Sequence, residues 1–145
     1  MSEACRFCQI LQGMLDARVV FEDAVCVAFL DHRPLFPGHT LLIPRRHFQT
    51  LGDLPEELVA PLFGSAKLLA RAVELAMGAE GTFVAINNRV SQSVPHLHVH
   101  IVPRRHKDGL RGFFWPRQKY ESDEVAARVA ATIRQAVESL KGAGS

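Results

Sequence analysis

Three of the chain's seven histidines stand at alternate positions, His96, His98 and His100, separated and followed by Leu97, Val99 and Ile101. Strict polar–apolar alternation is the pattern of a strand with one face on the core. Residues i, i+2 and i+4 of a strand point the same way, so the three imidazoles are expected to line one face. With an unperturbed pKa of about 6.5, a neutral imidazole is a capable nucleophile at pH 7. Attack on phosphorus would give a phosphoramidate that water can cleave. For that, one ring nitrogen must stay protonated, held by an acceptor such as a backbone carbonyl, while the other presents its lone pair. His98, flanked on both sides, suits the nucleophile, and its neighbours can hydrogen-bond the non-bridging oxygens. The same row could instead bind a catalytic metal.

A second constellation is Cys5-x-x-Cys8. A tetrahedral metal site needs two more ligands, and the chain has no second C-x-x-C. Histidines must then complete the set, and His47, following Arg45-Arg46, is a candidate. A thioredoxin-like redox pair is the weaker reading, because no strand precedes the motif. Cys26, between Val25 and Val27, reads as a core residue.

A third group consists of Asp31, at the head of a Pro/Gly-containing segment that ends at His39, and Asn87, Gln92 and Ser93 in a polar loop. Asp31 can accept from both vicinal hydroxyls of a ribose, and the amides and serine can donate to phosphate. Each of these residues is equally at home in ordinary turns.

The elements that must position these groups follow from periodicity. Residues 5–13 suit a short helical turn ending at Gly13. Residues 18–22 and 24–31 read as paired strands, and Thr40 to Ile43 as another, closed by Pro44. Asp53 is placed as an N-cap with Glu56 as its capping-box partner. The helix it opens runs to about Met77 and stops at Gly78, with Leu58, Leu62, Ala66, Leu69 and Val73 as its apolar stripe. Residues 82–88 form a further strand before the histidine strand. Ser122 caps a last helix, in which Val125, Val129, Ile133 and Val137 repeat every four residues. Strands on both sides of one long helix, without βαβ alternation, predict an α+β fold with a mainly antiparallel five-stranded sheet, one long helix and a C-terminal helix.

The 145 residues, 48% of them hydrophobic, suit a single domain (1–145), with 104–145 as a C-terminal extension packed on it. Seventeen basic and fifteen acidic side chains nearly cancel at +2, which gives no field for nucleic acid or an anionic membrane. No apolar run reaches the length of a membrane span, and the N-terminus lacks a signal-peptide core, so a cytoplasmic location is expected. An odd count of three cysteines does not suggest a disulfide framework.

Taken together, the segments resemble the histidine triad (HIT) family of nucleotide hydrolases and transferases. The central match is His96-Leu97-His98-Val99-His100-Ile101-Val102, joined by Cys5-Arg6-Phe7-Cys8, Phe29-Leu30-Asp31, Pro37-Gly38-His39 through Pro44, and Gln92-Ser93-Val94. The resemblance implies cleavage at the α-phosphate of an adenine nucleotide derivative, a phosphoramidate or a dinucleoside polyphosphate. His98 would attack and form a covalent nucleotidyl-histidine. His100 would contact phosphate, and His39 and His96 would support the row. Asp31 would hold the ribose, while Asn87, Gln92 and Ser93 fall at phosphate positions. Phe7, Ile10, Phe29 and Leu41 would wall the base.

The resemblance also implies a structural zinc on Cys5, Cys8, His47 and His96, and a homodimer that extends one sheet across its interface. Two departures stand out. The loop from Asn87 to Gln92 is short and carries Ser91 where glycine is common, leaving Asn88 as an alternative to Asn87. The basic and aromatic stretch 107–117 is distinct: Arg111, Arg117 and Lys119 could bind a polyphosphate, and Phe113, Phe114 and Trp115 would pack the loop. The competing reading, from a different class, is a nucleotide-binding interaction protein with residual catalysis.

Overall fold

A computed structural model describes residues 4–110 and 117–143. These residues fall into two compact units, one up to Asp108 and one from Gly109 onward. The first contains α1 (Arg6–Leu11), β1 (Val19–Glu22), β2 (Cys26–Leu30), β3 (Thr40–Pro44), α2 (Glu56–Met77), β4 (Gly81–Ala85) and β5 (Val99–Arg104). All its strand pairings are antiparallel, in the order β1-β2-β3-β5-β4. The α+β architecture expected from the sequence is therefore the one observed.

The two faces of the sheet bury different sets of side chains. On one face, Leu62, Ala66, Leu69 and Val73 of α2 pack against Ala28, Leu42, Leu97, Val99 and Ile101. This is the predicted stripe, and shortening one of its buried leucines to alanine would cost roughly 2–5 kcal/mol. On the other face, Val27, Phe29, Leu41 and Ile43 meet Cys5, Phe7 and Cys8 from the N-terminal segment. Register joins the two: Phe29 pairs with Leu41, and Leu41 pairs with His100. Those three side chains therefore share the face opposite α2.

Helix α2 begins later than the sequence suggested. Pro55 is its N-cap, and Asp53 instead closes a 3-10 turn (Leu51–Asp53) by accepting from the Thr50 backbone N–H and hydroxyl. The capping box exists, but between Thr50 and Asp53, because Pro55 fixes extended backbone just ahead of the helix. At the far end Gly78 caps in the left-handed conformation. Arg105 donates to the Gly78 and Met77 carbonyls at 2.7 Å each, tying the helix end to the residue after β5.

Gly38 shows why the Pro-Gly-His turn needs glycine. Its φ is +97°, and an added Cβ would lie 2.7 Å from Met77 Cγ. The second unit contains α3 (Asp123–Ala143), and the Val125 N–H donates to Ser122 Oγ as expected. The aromatic and basic residues 111–116 lie outside the described residues. Among the described residues, no helix is long and apolar enough to cross a membrane.

Candidate active site and metal centre

Only His100 lies within β5; His96 sits in a bend and His98 just ahead of the strand, outside its ladder. The expectation of three equivalent imidazoles on one strand face is corrected accordingly. His98 and His100 line a cavity of about 700 Å³, with ring centroids 4.9 Å apart. His96 is fully buried and turned away toward the cysteines.

The protonation state of each ring can be read from its partners. His98 Nδ1 lies 2.7 Å from the His96 carbonyl, which can only accept. Its proton is thus on Nδ1, and Nε2 keeps a lone pair. In His39, Nδ1 accepts the Leu35 N–H at 3.1 Å, so the proton of the neutral ring is on Nε2. That Nε2–H donates to His100 Nδ1 at 3.0 Å, leaving Nε2–H as the donor His100 offers to the cavity. Burial favours these neutral forms. It lowers the pKa of His39 and His98 and pushes His100 down to about 4, with His98 and His39 adding to the effect on His100.

Asp31, His39 and His100 also bring potential metal-ligating atoms within 4.8 Å of one another. Metal binding at His39 Nε2 would require a proton on Nδ1, where the Leu35 N–H already points. The cluster is a hydrogen-bond relay by this criterion.

The cavity runs across the sheet. Its lining includes His98 and His100, Leu41 and Phe29 from the neighbouring strands, Phe7 and Ile10 of α1, Asp31 and Ser93. Phe7 stands edge-on to His98 at 5.1 Å and to Phe29 at 5.4 Å. His39 is buried behind the lining. Asn87 and Gln92 do not line the cavity. Gln92 holds the loop together instead, accepting from the Arg89 N–H and donating to the Gln49 carbonyl. Asn88 accepts from the Leu51 N–H. Arg6, Asp16, Arg18 and His32 also line the cavity, and sequence reasoning missed them. They flank a short helix and an edge strand with no periodic signal. Asp16 and Arg18 reach the cavity because β1 pairs beside β2, and Arg6 because α1 packs on the same face.

Cys5, Cys8, His47 and His96 bring one donor atom each within 4.8 Å of one another. Cys5 Sγ and Cys8 Sγ lie 3.5 and 3.6 Å from His96 Nδ1, and Cys8 Sγ lies 3.2 Å from His47 Nδ1. Tetrahedral zinc with ordinary Zn–S and Zn–N bonds separates sulfur from nitrogen by about 3.6 Å. The His96 Nε2–H donates to the Pro44 carbonyl at 3.0 Å, which aims the Nδ1 lone pair at the thiols. Burial lowers the His96 pKa to about 4, so the ring is neutral as a ligand must be. Two thiols and two imidazoles at these separations fit zinc.

The HIT domain family profile matches residues 12–107, and the chain belongs to this family. An adenylylsulfatase from Arabidopsis thaliana is 32% identical over 143 residues, 94% of this chain and 71% of that protein. An adenosine 5'-monophosphoramidase from Saccharomyces cerevisiae is 31% identical over 128 residues, 86% of this chain and 78% of that one. Among solved structures, a Zn-bound histidine triad family protein from Mycobacterium smegmatis superposes with a TM-score of 0.71 at 34% identity, covering 94% of this chain and 97% of that chain. Nucleotide hydrolase activity at the level of the family follows from these likenesses.

Proposed function

We propose that the protein is a nucleotidyl hydrolase or transferase that cleaves adenine nucleotide derivatives at the α-phosphate through His98. The carrying observation is the His98 Nδ1–H bond to the His96 carbonyl, which leaves Nε2 as a lone pair at the cavity end. In this reading Nε2 attacks phosphorus, an N–P bond forms, and the bond to the leaving group breaks. Water then attacks the nucleotidyl-histidine, the N–P bond breaks, and His98 regains its lone pair. The His100 Nε2–H stabilises charge on a non-bridging oxygen. Asp31 accepts from the ribose, and Ser93 donates to phosphate. Asn87 and Gln92 act here through the shape of their loop. The substrates are phosphoramidates of AMP or dinucleoside polyphosphates.

Zinc on Cys5, Cys8, His47 and His96 would be structural, pinning α1 and hence Phe7 and Ile10 against the cavity. A reducing compartment, the cytoplasm, keeps that thiol pair available. The chain would act as a homodimer: β4 is an edge strand, and its Val84, with Leu68 and Leu75 on α2, is exposed. The test is intact-mass analysis after mixing with adenosine 5'-phosphoramidate and with diadenosine polyphosphates. An adenylyl adduct on wild type that is absent from His98→Ala supports the reading. Turnover unchanged in His98→Ala would sink it.

A further inference from the structure

The Cys/His cluster contains two thiols placed so that they can be joined to each other. The Gln9 N–H donates to the Cys5 carbonyl at 3.0 Å, so Cys5 and Cys8 stand within one helical turn. Their Cα atoms are then about 5 Å apart, inside the range that a disulfide spans without backbone movement. The Cys8 N–H points at Cys5 Sγ, at 3.4 Å, and both sulfurs belong to the group of donor atoms that converge within 4.8 Å. Cys26, the third thiol, is of another kind. It is buried in the core among the side chains of α2, and burial, with Asp23 beside it, pushes its thiol up to about 11. A thiol held protonated in this way is inert toward oxidants. Between Cys5 and Cys8 in the chain stands Phe7, whose ring meets His98 edge-on at 5.1 Å and His96 at 5.9 Å. Displacement of the two cysteines is thus felt at the cavity wall beside His98.

We propose that Cys5 and Cys8 are a site of reversible oxidation, at which a peroxide joins them as a disulfide and the metal is released. The inference rests on the structural-zinc reading above. One sulfur attacks the peroxide O–O bond, an S–O bond forms, and the first water leaves. The second sulfur attacks the resulting sulfenic sulfur, the S–S bond forms, the S–O bond breaks, and the second water leaves. Hydrogen peroxide thus takes two electrons from the pair, and the two thiol protons end in the waters. A dithiol reductant reverses the step. Once joined, the sulfurs no longer serve as thiolate ligands, and His47 and His96 alone leave a tetrahedral site half filled. Cys8 is wholly buried and Cys5 nearly so, which admits a small oxidant in preference to a bulky one. Ala4, the residue before Cys5, is exposed, so the approach from that side is short.

The experiment treats protein of measured zinc content with hydrogen peroxide, beside an untreated sample. It follows zinc release, intact mass, melting temperature and turnover of adenosine 5'-phosphoramidate. Expected are release of the zinc, loss of two hydrogens, and a disulfide mapped to Cys5 and Cys8, with Cys26 still open to alkylation after unfolding. The melting temperature drops by several degrees and turnover by about tenfold or more. Dithiothreitol with added zinc restores all four readings, and Cys26→Ala responds as wild type. Zinc and mass unchanged, at a peroxide level that oxidises glutathione in parallel, overturn the oxidation site and leave the zinc reading standing. Oxygen added without a disulfide, or a response that Cys26→Ala abolishes, does the same. Undiminished turnover in the disulfide form overturns the link to the cavity. A sample that holds no zinc before treatment overturns the zinc reading and this inference with it.

Discussion

His96 serves His98 with its backbone and the thiols with its ring: its carbonyl accepts the His98 Nδ1–H at 2.7 Å, while its own Nδ1 faces Cys5 and Cys8. The two histidines are therefore expected to separate on mutation. His98→Ala should lower turnover at least about a thousandfold, as loss of a nucleophile does. It should retain a cooperative unfolding transition and nucleotide binding. His96→Ala removes a ring held between the Pro44 carbonyl and the thiols, which should cost about 2–4 kcal/mol as well as rate. Thermal melting and single-turnover kinetics on the two variants distinguish them, and equal loss of stability in both would refute the division of labour.

Zinc should be found at one equivalent per chain by elemental analysis of protein prepared without added metal. Chelation is expected to lower the melting temperature by several degrees, and Cys8→Ser to do the same without chelator. A metal on Cys5, Cys8, His47 and His96 would act on the cavity through α1, so activity should fall in step with unfolding. Immediate loss of turnover on chelation, with the melting temperature unchanged, would instead mean a catalytic metal.

How much of this was legible depended on whether the signal was periodic or a matter of tertiary approach. The helix stripe Leu62–Val73 and the apolar partners Leu97, Val99 and Ile101 could be read because burial imposes a period on the sequence. The Cys5–Cys8 pair announced half a metal site, the shortage of cysteines pointed to a histidine such as His47, and the resemblance supplied His96. Alternation placed His96 with His98 and His100, but alternation describes only backbone direction. It could not register that the Pro44 carbonyl and the thiols turn the His96 ring aside. The Leu35 amide on His39 carries no side-chain signature. Asp53 was misplaced because Thr50, three residues upstream, accepts it into an equally good local motif.

The relay from Leu35 through His39 to His100 predicts tautomers that can be observed directly. Nitrogen-15 spectra of labelled imidazoles at pH 7 should show His98 protonated on Nδ1, and His39 and His100 on Nε2. His39→Phe removes the donor to His100 Nδ1 and frees that ring to adopt either tautomer. Its kcat should fall about tenfold to hundredfold, on the scale of losing a partner that orients a site histidine. A variant with wild-type kcat would show that His100 needs no such orientation.

Acid should destabilise the folded chain through the same histidines. Burial holds His39, His98 and His100 below the ordinary 6.5, and His100 down to about 4. Between those limits the unfolded chain binds more protons than the folded one, so stability rises with pH across this window. The contribution is complete above pH 6.5 and is lost as pH falls toward 4. With zinc on Cys5, Cys8, His47 and His96, proton competition for the ligands would act in the same direction. Denaturant midpoints from pH 7.5 to 4.5 should fall monotonically, more shallowly in His100→Gln. A midpoint that is flat to pH 5 would contradict neutral burial of these rings.

Gly38 offers a test of how backbone shape supports the relay. At φ +97° an alanine is strained by about 1–2 kcal/mol, and its methyl would also meet Met77 Cγ at 2.7 Å. The two penalties are separable, because the methionine is flexible and the dihedral is not. Gly38→Ala should therefore cost roughly 2–4 kcal/mol by denaturant unfolding. Adding Met77→Ala should relieve the contact but leave the strain, after allowing for the cost of Met77→Ala alone. The turn also sets the reach from the Leu35 N–H to His39 Nδ1, so kcat should fall in Gly38→Ala and stay low in the double variant. Recovery of kcat together with stability in the double variant would assign the whole effect to the Met77 contact and would remove the turn from the catalytic argument.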